Sequence, residues 1–397
     1  MIDFFKLVFL TSFLVLTLNA NDNNQTRITD RELSADEDPL TKQQSIKLKQ
    51  EDKSPFNYLL YGSLREHYRH ISGGESAWED SGSRLGINSW YEIQARTWVF
   101  ARYELGFNIL KELGLDTPSY PADERTGDTL YTRLAYIGFQ KNKNIIAFGK
   151  NWSTYYQVAS FTDRFDSLGG EASGAYNAHS DGGASGTGRA DQVLQTRLNF
   201  DLFSSTKPLE VNFQLQPGQE IVNVNAEYEY GLGISALWGT LDNIKIGIAY
   251  NYAPIDLDKI SPSQRNGLDG DLQALLVGAQ FFSENWYLGV NFSVSNNLQS
   301  TDMQQYFKGK GMELYTQYRV FKKVWLLGGY NYLKPDSNQA QTGEYLLSYG
   351  IVGLRYSIDE FYKMFYLEGS FNNGRESDNS RQGNQVIIGI RWGFESN

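Results

Sequence analysis

The sequence predicts an all-β fold, a transmembrane antiparallel β-barrel of 16 strands with an inward-folded constriction loop. From Phe56 onward, apolar and polar residues alternate with the period of two that is typical of strands. Aromatic residues make up 14% of the chain and gather at the ends of the apolar faces, as they do where a barrel meets the membrane interfaces. Beyond the N-terminus there is no apolar run of about 18 residues, the length of a membrane helix, and mean hydropathy is −0.46.

The segment Gln385–Phe394 shows the alternation most clearly, and it is the predicted closing strand of the barrel. Val386, Ile388, Ile390, Trp392 and Phe394 form the face predicted to contact lipid, and Ile387, Gly389, Arg391 and Gly393 form the face toward the lumen. Charged residues in the middle of other strands, such as Glu104 and Arg133, also fall on the lumen side. A soluble sandwich alternates too, but the repetition around the whole chain favours a pore.

Sixteen segments follow this pattern, an even number as single-chain bacterial barrels require. They lie at residues 56–69, 83–93, 97–110, 128–140, 143–151, 189–202, 208–217, 228–239, 243–253, 271–282, 284–295, 310–320, 323–333, 345–358, 362–372 and 385–394. The segment Ile221–Glu227 is assigned to a loop, because a seventeenth strand would make the number odd.

The N-terminus predicts export. Lys6 precedes an apolar run from Leu7 to Leu18, and the small residue Ala20 ends the segment, which is the layout of a secretory signal peptide. The run is shorter than the roughly 20 residues that span a bilayer. The predicted organisation is therefore a signal peptide at 1–20, a polar and disordered extension at 21–54, and a barrel at 55–397.

Composition excludes several functions. The net charge of −10 disfavours nucleic acid as a partner and indicates a negative field at a pore or on exposed loops. There are no cysteines, so stability is expected from an unbroken hydrogen-bond ladder. The only histidines are His67, His70 and His179, and no serine nucleophile motif is present. We therefore expect no enzyme activity, no metal site and no cofactor.

Four segments carry a resemblance to a known family. They are DTLYTRLAYIGFQ at 128–140, IIAFGKNWSTYYQVASFTDRFDSLGGEASGAY at 145–176, GRADQVLQTRLNF at 188–200 and GIRWGF at 389–394. These segments resemble the trimeric general-diffusion porins of Gram-negative bacteria, most strongly over 128–202. The resemblance implies an outer-membrane channel for small hydrophilic solutes and ions. Its implied partners are outer-membrane lipid, two further copies in a homotrimer and the barrel-assembly machinery, which recognises the closing strand.

The family's pore is narrowed by an acidic inward loop that faces a basic wall. By resemblance, Asp163 and Glu171 take the acidic positions, and Asp166 substitutes for a glutamate where this chain has Ser167. The matching basic wall residues are Arg65, Arg84, Arg133, Arg189 and Arg197. Arg65 replaces a lysine that the family carries where this chain has Ser63. The matching residues of the closing strand are Gly389, Arg391, Trp392 and Phe394.

Other functions remain open at this stage. A substrate-specific channel, for example for sugars, would line its path with aromatic residues, for which Tyr120, Tyr155, Tyr156 and Tyr176 are candidates. A structural tether or adhesin is indicated only by the polar extension. The final residues, Glu395–Asn397, continue past the aromatic residue at which the family usually ends. We expect the barrel to tolerate this tail, and its deletion to leave conductance unchanged and, if anything, to raise the amount inserted.

Overall fold

A computed structural model describes residues 55–113, 129–201, 208–241, 243–359 and 363–396. The predicted signal peptide at 1–20 and the extension at 21–54 lie outside these residues, so both remain predictions.

The described chain is one antiparallel sheet that closes on itself, which confirms the predicted fold class. Its 17 strand segments form 16 barrel strands, because Ala77–Asp80 and Arg84–Gln94 pair in succession with the first strand. The strands are β1 Phe56–Ile71, β2 Ala77–Asp80 with Arg84–Gln94, β3 Thr97–Phe107, β4 Leu130–Lys141, β5 Asn144–Trp152, β6 Arg189–Phe200, β7 Leu209–Glu220, β8 Glu227–Leu241, β9 Ile244–Ala253, β10 Leu272–Phe282, β11 Trp286–Ser300, β12 Tyr306–Phe321, β13 Val324–Pro335, β14 Leu347–Ser357, β15 Lys363–Asn372 and β16 Gln385–Glu395.

The predicted strand at 83–93 is longer in the structure and is interrupted by a bulge. Residues 81–83 interrupt the regular pairing with β1, and the Asp80 carboxylate accepts hydrogen bonds from the backbone N–H groups of Gly82 at 2.8 Å and Ser83 at 3.0 Å. Bulges re-aim neighbouring side chains and are enriched beside functional sites. Here the bulge lies directly before Arg84.

Helices are short. They are α1 Ile109–Glu112, α2 Tyr156–Ala159 and 3-10 turns at Leu257–Lys259, Pro262–Gln264 and Ala340–Thr342. The part of the chain that the structure describes contains no helix long and apolar enough to cross a membrane.

The two faces of the sheet differ as the alternation predicts. In β16, Ile388 is 60% exposed on the outside, whereas Ile387 is fully buried on the inside. In β11, Phe292 and Val294 are exposed on the outside, and Asn291 is buried on the inside. An apolar outer face and a polar inner face suit a barrel with lipid outside and water inside.

Short turns and long loops alternate along the chain, so the long connections collect at one end of the barrel. The turn between β4 and β5 is closed by Asn142, whose φ of 54° lies in the left-handed region that asparagine tolerates. The next connection, between β5 and β6, spans residues 153–188 and is almost wholly buried. We call this segment the inward loop.

The barrel closes at the seam between β1 and β16, where Tyr61 pairs with Glu395 and Ile71 pairs with Gln385. The C-terminal tail takes part in the seam. Ser396 donates its backbone N–H to the Leu60 carbonyl at 2.7 Å, and its hydroxyl accepts the Leu60 N–H at 3.0 Å. The expectation that the tail is merely tolerated is therefore revised, because it extends the closing ladder.

Deleting residues 396–397 removes both Ser396 hydrogen bonds at the seam and leaves the paired strand that ends at Glu395 intact. We expect the free energy of unfolding to fall by about 1–3 kcal/mol, at about 0.5–1.5 kcal/mol for each bond, while the unitary conductance stays unchanged. The temperature at which the folded band is lost on a gel of unboiled samples measures the effect. Deleting Asn397 alone is the control, and equal melting temperatures for the two deletions would contradict a role of Ser396 in closure.

Candidate pore constriction

The inward loop leaves β5 and returns to β6 through a narrow base. The Ser153 hydroxyl accepts the N–H of Tyr156, at the start of α2, and donates to the carbonyl of Thr187 at 2.6 Å. The backbone N–H of Ser153 donates to the Gly188 carbonyl at 2.8 Å. The two ends of the loop are thus joined, and the residues between them extend across the barrel interior.

Glycines on the barrel wall let the loop lie directly against it. A Cβ atom at Gly289 would collide with the carbonyl oxygen of Phe161, and one at Gly311 would collide with that of Ala172. At Gly329, a Cβ atom would lie 2.6 Å from the ring of Phe165. Glycines on the inner face of β11, β12 and β13 therefore make this close contact between wall and loop possible.

Two wall glutamates hold the tip of the loop. Glu313, on β12, accepts hydrogen bonds from the N–H groups of Ala172 at 2.8 Å and Ser173 at 2.7 Å, and from the Thr162 hydroxyl. Glu368, on β15, accepts three backbone N–H groups, those of residues 166, 167 and 168, at 2.7–3.1 Å. Several N–H donors can stabilise a buried carboxylate that water no longer reaches. Neither residue is among the predicted site residues, although each is a charged residue in mid-strand on the inner face.

The predicted acids Asp163 and Glu171 lie close together on the loop. A Cβ atom at Gly170, directly before Glu171, would lie 2.8 Å from Oδ1 of Asp163. The other oxygen of Asp163 accepts a hydrogen bond from the Tyr156 hydroxyl at 2.8 Å. The Glu171 side chain is exposed to the interior. Loss of solvation in the crowded barrel interior raises the pKa of Glu171 above its ordinary value, and a hydrogen bond with Tyr349 and the positive charge of Arg69 oppose part of that rise.

The third predicted acid, Asp166, lies on the wall side of the loop. Its carboxylate forms ion pairs with Arg355 at 2.7 Å and with Arg391 at 3.3 Å, and its side chain is only 1% exposed. Its charge is therefore offset by the wall and contributes to holding the loop. Asp166 was predicted to line the pore with the other two acids. A sequence motif does not show which side chain each acid pairs with.

Three of the predicted arginines, Arg65, Arg84 and Arg133, share one wall. A Cβ atom at Gly82, in the β2 bulge, would lie 3.4 Å from a guanidinium nitrogen of both Arg84 and Arg133. Arg65, on β1, lies opposite Arg391 across the seam. The same bulge meets the loop, since the Ser81 hydroxyl donates to the Asp166 carbonyl at 3.1 Å.

One acid on this wall, Glu104, is surrounded by basic residues. It pairs with Arg102 at 2.6 Å and with Arg133 at 2.9 Å, and it accepts a hydrogen bond from the Tyr61 hydroxyl at 2.7 Å. Arg102 is not among the predicted basic wall residues, although it occupies an inner-face position two residues before Glu104.

The other two predicted arginines lie apart from this wall. Arg189 is buried at the base of the loop, 3.6 Å from Asp181, and lies over the ring of Trp152. Arg197 is 3.5 Å from Glu210 on the neighbouring strand β7. The structure thus brings together Arg65, Arg84 and Arg133, and it separates Arg189 and Arg197 from them.

The predicted closing-strand residues occupy the two faces of β16. Arg391 points inward to Asp166, and the ring of Tyr366 covers Gly389, leaving no room for a side chain there. Trp392 and Phe394 are exposed on the outside, and the Lys363 ammonium lies 5.3 Å from the Trp392 ring centre.

The tyrosines considered for a sugar path are mostly engaged in packing. Tyr155 is fully buried and donates its hydroxyl hydrogen to the Ser173 carbonyl at 2.7 Å. Tyr156 stacks on Trp152 with ring centres 3.9 Å apart, and Tyr176 lies 6.2 Å from Tyr156. Tyr120 lies outside the described residues. These contacts hold the loop together and leave Tyr155 without a surface to offer a solute.

Comparison with known proteins agrees with the fold. The chain is 24% identical over 339 residues to outer membrane porin PhoE of Salmonella typhimurium, covering 84% of this chain and 91% of that protein. It is 26% identical over 269 residues to outer membrane porin F of the same species, covering 66% and 69%. No family model matches the chain.

Among solved structures, the fold is similar to Salmonella typhi OmpF in complex with daunomycin, with a TM-score of 0.67, 19% identity and coverage of 85% of this chain and 97% of that one. It is also similar to the trimer form of Vibrio cholerae OmpT, with a TM-score of 0.59, 14% identity and coverage of 86% and 100%. The chain is therefore similar in sequence and in fold to the class of outer-membrane porins. Within that class the chain resembles the general-diffusion porins, as its motifs predict.

Replacing Glu313 with Gln removes the negative charge that strengthens the hydrogen bonds from the N–H groups of Ala172 and Ser173, and its NH2 group replaces the oxygen that accepts from the Thr162 hydroxyl. Hydrogen bonds to a charged group contribute about 1.5–3 kcal/mol each, so we expect a loosened loop tip, a noisier open-channel current and faster proteolysis within the loop. Single-channel recording and limited proteolysis measure these effects. Glu284→Gln, in the exposed turn before β11, is the matched control, and unchanged noise in Glu313→Gln would contradict the anchoring role.

Proposed function

We propose that the protein forms a water-filled channel for passive diffusion of small hydrophilic solutes and ions across the outer membrane. The observation that carries the proposal is the inward loop, which is joined at its base, anchored by Glu313 and Glu368 at its tip, and in contact with the wall that bears Arg65, Arg84 and Arg133. A loop held in this way narrows the lumen without closing the barrel.

The charges around the narrowed lumen support selection of polar solutes. Acidic side chains on the loop and basic side chains on the wall would set up a field across the channel. Such a field orients water and favours small polar solutes over apolar ones. Asp163 and Glu171 are the loop acids that we assign to the lumen, because Asp166 is paired with wall arginines.

The assembly that we propose is a homotrimer in outer-membrane lipid. The trimer form of a structurally similar outer membrane protein supports it. We further propose that residues 1–20 direct export, that 21–54 precede the barrel as an extension, and that the barrel-assembly machinery recognises the closing strand. The composition of the N-terminus and the outward Trp392 and Phe394 support these proposals.

Reconstitution in a planar bilayer tests the channel directly. We expect stepwise conductance that is ohmic at low voltage, with three equal levels for each inserted trimer. A folded trimer that inserts without conducting would overturn the proposal. Saturable block of the current by one sugar would instead favour a substrate-specific channel.

Replacing Asp163 with Asn and Glu171 with Gln should lower the preference for cations, because both substitutions remove negative charge from the lumen. The reversal potential in a salt gradient measures the effect. Asp166→Asn is the comparison variant, and we expect it to lower thermal stability more than it changes the reversal potential. An equal reversal potential for the native channel and the double variant would contradict the assignment of these acids to the lumen.

The native channel should also lose cation preference as the pH falls. Because the pKa of Glu171 is raised, this carboxylate takes up its proton at a higher pH than an ordinary glutamate. The loss should therefore begin above the pH at which ordinary glutamates titrate, near 4.3. In Glu171→Gln this early part of the pH dependence should be absent.

A further inference from the structure

The base of the inward loop is bound by three neutral amide side chains on the wall. The return limb of the loop, residues 182–188, presents backbone carbonyl groups toward β7 and β9. Gln216 donates to the carbonyl of Gly183 at 2.7 Å, Asn251 to that of Ser185 at 2.6 Å, and Gln214 to that of Gly186 at 2.9 Å. The three donors are at most 4% exposed.

Gln214 also binds the beginning of the loop. Its amide oxygen accepts the backbone N–H of Thr154 at 3.1 Å, and a further hydrogen bond from the Gln195 side chain at 3.0 Å fixes its orientation. One side chain therefore joins the first residues of the loop to the return limb. Movement of either end would break a hydrogen bond of Gln214.

The return limb fits against these amides without spare room. A Cβ atom at Gly186 would lie 2.5 Å from Oε1 of Gln216 and 2.9 Å from Nε2 of Gln214. On β8, a Cβ atom at Gly233 would lie 2.6 Å from the Thr154 hydroxyl and 2.7 Å from Oδ1 of Asn251. Glycine on both sides of the contact allows the limb to sit at hydrogen-bonding distance from the wall.

We propose that Gln214, Gln216 and Asn251 form an amide clamp, a set of positioning residues that determines the width of the channel by holding the return limb against the wall. The inference rests on the proposed function of the loop as a constriction. The amide clamp is a second anchor of the loop, on β7 and β9, whereas the tip is anchored on β12 and β15. The tip is held by carboxylates, whereas the clamp is uncharged and holds at any pH at which the barrel is folded.

The clamp controls permeation because a limb released from β7 and β9 has only the lumen to move into. Each hydrogen bond removed shifts the ratio of held to released loop by about fivefold. The released loop occupies part of the water-filled path, so the channel conducts less and switches between levels. The strands themselves keep their ladder hydrogen bonds.

Single-channel recording of Gln216→Met and Asn251→Leu tests the clamp, since both substitutions keep the approximate shape of the side chain and remove its N–H donors. We expect a lower mean unitary conductance and discrete substates, with an assembled trimer on unboiled gels. The matched control is Gln140→Met, because Gln140 is also a buried amide of the inner face but donates to the carbonyl of Asn142 in its own turn at 2.8 Å. The control should conduct like the native protein.

Gly186→Ala tests the same contact from the loop, without changing any strand residue. Its added methyl group pushes against Gln214 and Gln216, and its φ of 74° also disfavours alanine. We expect the same substates as in the clamp variants.

The clamp is overturned if Gln216→Met, Asn251→Leu and Gly186→Ala all conduct like the native protein, or if Gln140→Met shows the same substates. Loss of the folded trimer in all three variants would also overturn it, because the residues would then be needed for folding instead of for positioning the loop. Failure of the proposed function would give a different result, because the native trimer itself would then insert without conducting.

Discussion

Closure of the hydrogen-bond ladder at the seam between β1 and β16 is the constraint on which the rest of the structure depends. In lipid, an unpaired backbone N–H or carbonyl group has no water to bind, so a sheet can cross the membrane only if its two edges pair. The seam runs from Tyr61 paired with Glu395 to Ile71 paired with Gln385, and Ser396 extends it by two hydrogen bonds. Only once the sheet is closed does an interior exist in which a loop can be held.

The inward loop must also have hydrogen-bond partners for its backbone groups inside the barrel. A segment without regular secondary structure exposes many backbone groups, and burial without partners would destabilise it. The wall supplies those partners from several strands. Glu313 and Glu368 accept N–H groups at the tip, and Gln214, Gln216 and Asn251 donate to carbonyl groups at the base. Wall carboxylates thus accept from the N–H groups of the loop, and wall amides donate to its carbonyl groups. This complementarity keeps the loop in one position within a water-accessible lumen.

The site could be predicted from the sequence only in part. The family resemblance identified the loop and its acids, and it assigned Arg65, Arg84 and Arg133 to the basic wall. It could not separate Asp166 from Asp163, although one is paired with two arginines and the other is hydrogen-bonded to a tyrosine. Glu313 was missed because its partners, Ala172 and Ser173, lie about 140 residues away along the chain. The alternation in a strand shows on which side of the sheet a residue lies. It does not show which residues of the loop that side chain contacts inside the barrel.

The sequence by itself determined the class of structure. Period-two alternation, outward aromatic residues and an even number of strands are local properties, because neighbouring side chains in a strand point to opposite faces whatever the rest of the chain does. The bulge at residues 81–83, the role of the tail in closure and the anchors of the loop were decided only by the tertiary structure. Each depends on contacts between strands and loops that are distant along the chain, and barrel closure sets those distances. The same division applies to charge: the sequence supplied the ionisable residues, and the fold decided which of them remain available to a solute.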